Sequence, residues 1–389
     1  MTDWKEYKFS DFVIINPTIS LNGKEEYSYV EMKDLQDGNK FCFPNAERKP
    51  ASGARFQDRD TLFAKITPCL ENGKICQVRG LKNGIGFGST EFFVFRGKEN
   101  ISDNDFVFYL SRWDEVRGFA EGNFEGTSGR QRVPKNCFDN LLLDLPDYQE
   151  QTAIATILSS LDNKIDLLHR QNKTLEQLAE TLFRQWFVEE AEDSWKVVKI
   201  EDVCTRISSG GTPSTKMNEY YNGHINWYST KELQDNFLFE SISKITYAGL
   251  ENSSAKLFPE NTIIIAIYAA PTVGRLGILS NEATFNQAAC GFVTDEEKIC
   301  FEYLYLHLLY SRRKLNDMAS GSAQQNLNVG IMKEFGIILP PEYLMQKFRD
   351  HVRPFFKKIK LNATQIRILT QLRDTLLPKL MSGEVGVKM

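Results

Sequence analysis

The chain repeats itself, and this constrains its fold more than any other feature of its 389 residues. Trp4-Lys5 with Lys8 and Asp11 recurs as Trp195-Lys196 with Lys199 and Asp202, an offset of 191. Leu145-Pro146 recurs as Leu339-Pro340, an offset of 194. At that second offset Lys164-Ile165, Leu167, Gln171, Leu175, Gln177-Leu178 and Thr181-Leu182 return as Lys358-Ile359, Leu361, Gln365, Leu369, Gln371-Leu372 and Thr375-Leu376. Nine identities in the 22 positions from Asp162 to Phe183 exceed chance for unrelated segments. The pattern is a tandem duplication: globular part (1–149), helix (150–191), globular part (192–341), helix (342–389).

Both helices carry a heptad seam. In the first it runs Ile154, Leu158, Leu161, Ile165, Leu168, Asn172, Leu175, Ala179, Leu182 and Trp186, with no Gly or Pro from Gln151 to Trp186. In the second it runs Phe348, Val352, Phe355, Ile359, Asn362, Ile366, Leu369, Arg373, Leu376 and Leu380. Pro354 is expected to kink or start that helix, and Pro378 to end it near Leu377. So narrow a seam suits a helical partner better than a sheet. In an antiparallel pair the facing residue numbers have a constant sum. A sum of 534 matches Asn172 with Asn362, the two asparagines of the seams, which leaves neither amide against an apolar residue. It also sets Ile165 on Leu369, Leu175 on Ile359, Leu168 on Ile366 and Ala179 against Phe355. Leu161 then meets Arg373, whose head is expected to turn out to water. The charges agree: 150–191 holds four Lys/Arg against seven Asp/Glu, and 342–389 holds ten against four.

The globular parts contain short strand-like runs bounded by turn residues: Thr61 to Ile66, Phe92 to Phe95, Ile225 to Tyr228, Thr262 to Tyr268 and Gly336 to Leu339. Helical stretches are expected at Asp103 to Val116 and Phe301 to Leu315. The fold class is α+β: two globular domains in tandem pseudo-repeat, with two long helices forming an antiparallel coiled coil. Between the two globular parts the sequence similarity is poor outside their first and last dozen residues.

Chemistry of the usual kinds is missing from the sequence. Seven cysteines include no C-x-x-C pair, and the four histidines (His169, His224, His307, His351) are scattered, which argues against a metal site and for reduced thiols. No phosphate-binding glycine loop precedes a helix; Gly84-Ile85-Gly86-Phe87-Gly88 is read as a turn between strands, and Asn16-Pro17-Thr18 as a loop. Ser208-Ser209-Gly210 forms no nucleophile elbow. The N-terminus is polar, without a signal peptide, and no apolar run is long enough to span a membrane. The net charge of −4 gives no broad field for nucleic acid, although a local basic surface can supply one.

What remains is polar loops. Gly126 to Arg132 and Gly321 to Asn328 occupy equivalent places before the last strand of each globular part. Arginine suits bidentate contacts to guanine, and glutamine or asparagine to adenine. Arg130, Gln131 and Arg132 in the first loop, and Gln324, Gln325 and Asn326 in the second, are therefore candidate DNA contacts. Lys65, Thr67 and Lys74 join them in the first half, and Thr215, Lys216, Lys231 and Arg275 in the second.

The stretch from Leu145 to Ala155, then Leu161 to Ile165, then Leu178 to Phe187 resembles the central conserved region of specificity subunits of type I restriction-modification enzymes. The distal copy, ending Leu377-Pro378-Lys379-Leu380-Met381-Ser382-Gly383-Glu384-Val385, is similar to their second conserved region. Gly210-Gly211-Thr212-Pro213-Ser214 with Ile225-Asn226-Trp227, and Pro68 to Lys74 with Gly88 to Phe92, resemble parts of their target recognition domains. One departure is Leu344-Met345-Gln346-Lys347, where the first copy has Glu150-Gln151. The resemblance implies a non-catalytic cytoplasmic subunit whose two domains each read half of a bipartite, asymmetric double-stranded DNA site. Its helices would set the spacer and dock two methylation subunits, through which restriction subunits join. S-adenosylmethionine, ATP and Mg would be bound by those partners and none by this chain. A coiled-coil scaffold that reads no DNA, or a DNA-reading domain of a nuclease, stays open at this point.

Overall fold

A computed structural model describes residues 4–127, 129–268, 272–320 and 326–387. The chain divides into two compact units, 1–168 with 365–389 and 169–364. The first long helix spans Tyr148–Arg184 and closes in a π-helical turn, Gln185–Glu189. The second spans Glu342–Met381. The helix neither starts at Pro354 nor ends at Leu377. Phe348 and Val352 before Pro354, and Phe356 and Ile359 after it, are all buried, so packing on both sides outweighs the one lost backbone bond. Beyond Pro378 the chain stays helical because Leu380 and Met381 are buried in the first unit's core. Gly383, at φ +72°, then ends the helix in the left-handed conformation, against the ring of Trp4.

The helices pair antiparallel in the expected register. Asn362 Nδ2 donates to Asn172 Oδ1 at 2.8 Å. The apolar seam holds in its middle, but at the end of the first helix it yields to a different stripe. Ala179, Phe183 and Phe187 are buried, while Leu182 and Trp186 are half-buried at the edge of the same cluster. A face stepping by four fits the broad surface of a globular core better than a narrow seam does. For the same reason Phe356, rather than Phe355, is the buried aromatic of the second helix near Ala179.

Within the first unit a five-stranded sheet runs Val13–Ile15, Phe92–Gly97, Thr61–Ala64, Ile75–Val78, Phe41–Cys42. Its pairs are antiparallel except the last, which is parallel. The second unit has a sheet of the same order and directions: Cys204–Ser209, Ala289–Thr294, Ile263–Ala266, Leu276–Leu279, Asn236–Leu238. Thr61–Ala64 and Ile263–Ala266 are buried at every residue, which is why they read as apolar runs without alternation. In each unit a two-stranded ribbon joins the start of the globular part to its end, Lys5–Lys8 with Leu142–Leu145 and Lys196–Lys199 with Gly336–Leu339. The repeat thus extends to the five-stranded sheet and the ribbon, although the sequences of the globular parts have drifted apart and the remaining sheet has four strands in the first unit and three in the second.

The expected helical stretches each split in two: Asn104–Arg112 and Asp114–Gly122, then Phe301–Tyr310 and Arg312–Ser320. Asp103 caps the first of these by accepting from the amides of Asp105 and Phe106. The glycine cluster is not a turn: Ile85–Gly88 is a strand paired with Tyr27–Val30 and Arg55–Gln57. A Cβ on Gly86 would lie 2.7 Å from the Ser28 carbonyl oxygen, so close backbone approach accounts for glycine there. No helix among the described residues is long and apolar enough to cross a membrane.

Candidate nucleic-acid interface

Each globular part is fastened to its own stretches of the long helices, and the fastenings differ chemically. In the first unit Arg373 is buried, which overturns the expectation that it reaches water. Its Nη1 lies 2.7 Å from Asp162 Oδ1 and donates to the Gly38 carbonyl at 2.6 Å. Burial works against its charge, but Asp162 and Asp374 hold the guanidinium above its ordinary range. Tyr109, from the globular part, donates its hydroxyl to Asp162 Oδ2 at 2.6 Å. Burial and that carboxylate push the phenol well up, so it remains a donor. Beside it, Lys40 Nζ donates to Asp105 Oδ1 at 2.6 Å and to Ser159 Oγ at 2.7 Å. Burial draws Lys40 down; Asp105, although burial opposes it, is pulled to about 2 by Lys40 and Arg59.

At the equivalent layer of the second unit stand Phe356 and Ala179, against Tyr305, Phe237 and Phe301. Here the hydroxyl of Tyr305 bonds a backbone oxygen, that of Asp235.

In the first globular part the described residues of the loop Gly126 to Arg132, which leave out Ser128, lie at a hairpin. Glu125 and Arg132 exchange backbone bonds, and Thr67 clamps Gln131 through both its amide and its hydroxyl. Thr67 is buried in that clamp and so serves the loop's shape. Arg132 forms a bidentate pair with Glu91, which holds that carboxyl below its usual range, and a base contact would require leaving it. Lys74 donates to the Met32 carbonyl at 2.9 Å and crosslinks two loops. Arg130 is exposed, and its guanidinium and the side-chain amide of Gln131 have no side-chain partner among the described residues. Lys65 is half-buried, its Nζ 5.5 Å from the Phe93 ring centre. It lines a cleft of about 430 Å³ with Asn16, Thr18, Thr90 and Arg55. The sequence reading missed Arg55; it sits on a short strand that no periodic pattern announces, and it donates to the Ile19 carbonyl.

In the second globular part Thr215, Lys216 and Lys231 are exposed. Lys231 rides a short turn, Thr230–Glu232, closed by a Ser229–Glu232 capping box. Its topological counterpart is Lys33 on Met32–Asp34, a position the sequence reading also passed over, and one already paired with Glu31. Arg275 is half-buried before the strand Leu276–Leu279, and Asn326 is half-buried before Leu327, whose amide donates to the Ile267 carbonyl. Gln324 and Gln325 lie outside the described residues. Close approach also explains Gly210-Gly211: a Cβ on Gly210 would stand 2.0 Å from the Phe285 carbonyl oxygen, and Trp227 Nε1 donates to the Gly211 carbonyl. No cluster among the described residues groups three His, Cys, Asp or Glu able to hold a metal ion.

Two globular parts with the same five-stranded sheet, each fastened to its own stretches of the long helices, make a duplicated frame. The family of the type I restriction modification DNA specificity domain matches this chain twice, over residues 1–177 and 192–371. The chain belongs to that family, and its part is DNA sequence recognition. It is 26% identical to the HindI specificity subunit of Haemophilus influenzae, over 99% of this chain and 100% of that one. With the MjaIX specificity subunit of Methanocaldococcus jannaschii it shares 25% identity, over 99% and 94%. The crystal structure of the type I restriction-modification S subunit from M. genitalium superposes with a TM-score of 0.62 at 14% identity, covering 100% of this chain and 97% of the other.

Proposed function

We propose that the chain is the non-catalytic specificity subunit of a cytoplasmic type I restriction-modification complex. The readers, 1–149 and 192–341, each recognise one half of a bipartite, asymmetric site in double-stranded DNA. The helices, 150–191 and 342–389, set the spacer and dock two methylation subunits, through which restriction subunits join. S-adenosylmethionine, ATP and Mg belong to those partners. The carrying observation is a frame that repeats while the globular parts it holds present different exposed side chains, Arg130 in the first and Thr215 and Lys216 in the second. Docking of two copies of one partner is supported by repeated leucines with no core to fill. Leu167 and Leu361, and Leu178 and Leu372, are equivalent pairs, and all four are exposed. Given the net charge of −4, the isolated subunit should bind DNA weakly, with specific affinity appearing in the complex.

Methylome sequencing of cells with and without the gene tests this reading; it predicts one bipartite motif that vanishes with the gene. The ruler is tested by adding four residues after Leu175 and four before Ile359, which preserves the register. About 6 Å is added, at ~1.5 Å per residue, against ~3.4 Å per base-pair step. The spacer should lengthen by one or two base pairs with both half-sites unchanged; methylation at the old spacing contradicts the ruler.

A further inference from the structure

The first unit carries a buried ionic layer where the second, at the same place in the repeat, carries an apolar one. Asp162 and Arg373 are each 3% exposed, and an offset of 194 turns them into Phe356 and Ala179. Stability alone does not call for the ion pair, because an apolar layer is as stable or more so, and the second unit is built on one. Direction is what the ionic layer adds. Ring and methyl contacts survive small rotations, whereas a hydrogen bond weakens steeply once its angle closes. One carboxylate here ties the second helix through Arg373 and the first reader through Tyr109, and Arg373 Nη1 also donates to Gly38 of the reader at 2.6 Å. Lys40 adds a second tie, from the reader to Ser159 of the first helix at 2.7 Å.

We propose that Asp162 and Arg373 are positioning residues that fix the angle of the first reader on the coil, and so set how strictly the spacer is kept. The proposal rests on the reading that the coil sets the spacer. It is tested with the subunit assembled with its methylation subunits, on duplexes carrying both half-sites at the natural spacing and at one base pair shorter and longer. Asp162→Asn keeps shape and removes charge; it should reduce the preference for the natural spacing by about tenfold. The pair Asp162→Phe with Arg373→Ala, which copies the second unit, should regain melting temperature yet stay relaxed in spacing, since neither residue can bond Tyr109 or Gly38. Phe138→Leu, a packing change in the same unit's core, should lower the melting temperature and leave the preference intact. An unchanged preference in both layer variants, with the four-residue insertion still shifting the spacer, overturns the proposal alone. Should the insertion fail to shift it, the ruler reading falls, and the proposal with it.

Discussion

The two units answer one structural problem, how to seat a reader on a two-helix rod, with opposite chemistry. In the first, Asp162, Arg373, Tyr109 and Lys40 form a buried polar chain. In the second, Phe356, Tyr305, Phe183, Phe187 and Phe348 form an aromatic cluster. A smaller pair repeats the contrast. Trp4 Nε1 donates to Glu150, whereas Trp195 Nε1 has no partner among the described residues, the residue equivalent to Glu150 being Leu344. Likewise Gln151 bonds the carbonyls of Ile101 and Pro146, while its counterpart Met345 packs on Cys300. Duplication preserved the topology and left the seating free to diverge, since polar and apolar layers of similar volume can each satisfy a buried site.

The largest effect expected from breaking this comparison is that of Arg373→Ala, about 3–5 kcal/mol, because Asp162 is left buried without its counter-charge. Phe356→Ala should destabilise by a similar ~3–5 kcal/mol through a cavity. The two differ in rescue. Adding Asp162→Phe to Arg373→Ala should restore most of the loss, because it removes the stranded charge and copies the second unit's apolar layer, while Phe356→Ala leaves a cavity that removing a charge does not fill. Denaturant unfolding of the single and double variants separates them, and no rescue of Arg373→Ala would contradict the contrast.

Acid should also act on the units in sequence. In the second, burial lowers His307 to about 4, from the ~6.5 expected when unfolded. The unfolded form therefore binds more protons, so this unit loses about 3 kcal/mol as pH falls from ~6.5 to 4. In the first, Asp105 at about 2 contributes stability that is present above its unfolded value of ~3.9 and is lost only as pH falls towards 2. Hydrogen exchange resolved by segment should find protection lost first in 169–364; loss in the opposite order would count against these assignments. The smallest effect belongs to the tryptophans: Glu150→Leu, which makes the first copy like the second, should cost about 1–2 kcal/mol by orphaning Trp4. A calorimetric shift near zero would mean that Trp4 finds another acceptor.

Much of the frame was legible in the sequence because it is local or repeated. The heptads gave the helices, and the two seam asparagines gave a register that their 2.8 Å bond bears out. Arg373 was misjudged because its partners are not on the facing seam: Asp162 is one residue off it, and Tyr109 and Gly38 come from the reader. The end expected at Pro378 fails because the local rule ignores the buried Leu380 and Met381 beyond it. The candidate contacts were legible as residue types only. That Arg132 is held by Glu91, Lys74 by Met32 and the Gln131 backbone by Thr67 depends on pairings between segments about 40 to 65 residues apart, which no periodicity encodes. Arg130 emerges from the same geometry as the cation of that loop without a partner among the described residues.

The central claim, two readers working independently on one frame, is tested most directly by comparing the methylomes of cells carrying the native subunit and the Arg130→Ala/Gln131→Ala variant. Both side chains are clear of the folding network, so the frame should stand. The account predicts a bipartite motif in which one half becomes degenerate while the other half and the spacer are unchanged. Equal relaxation of both halves, or a motif that the double substitution leaves intact, would contradict it.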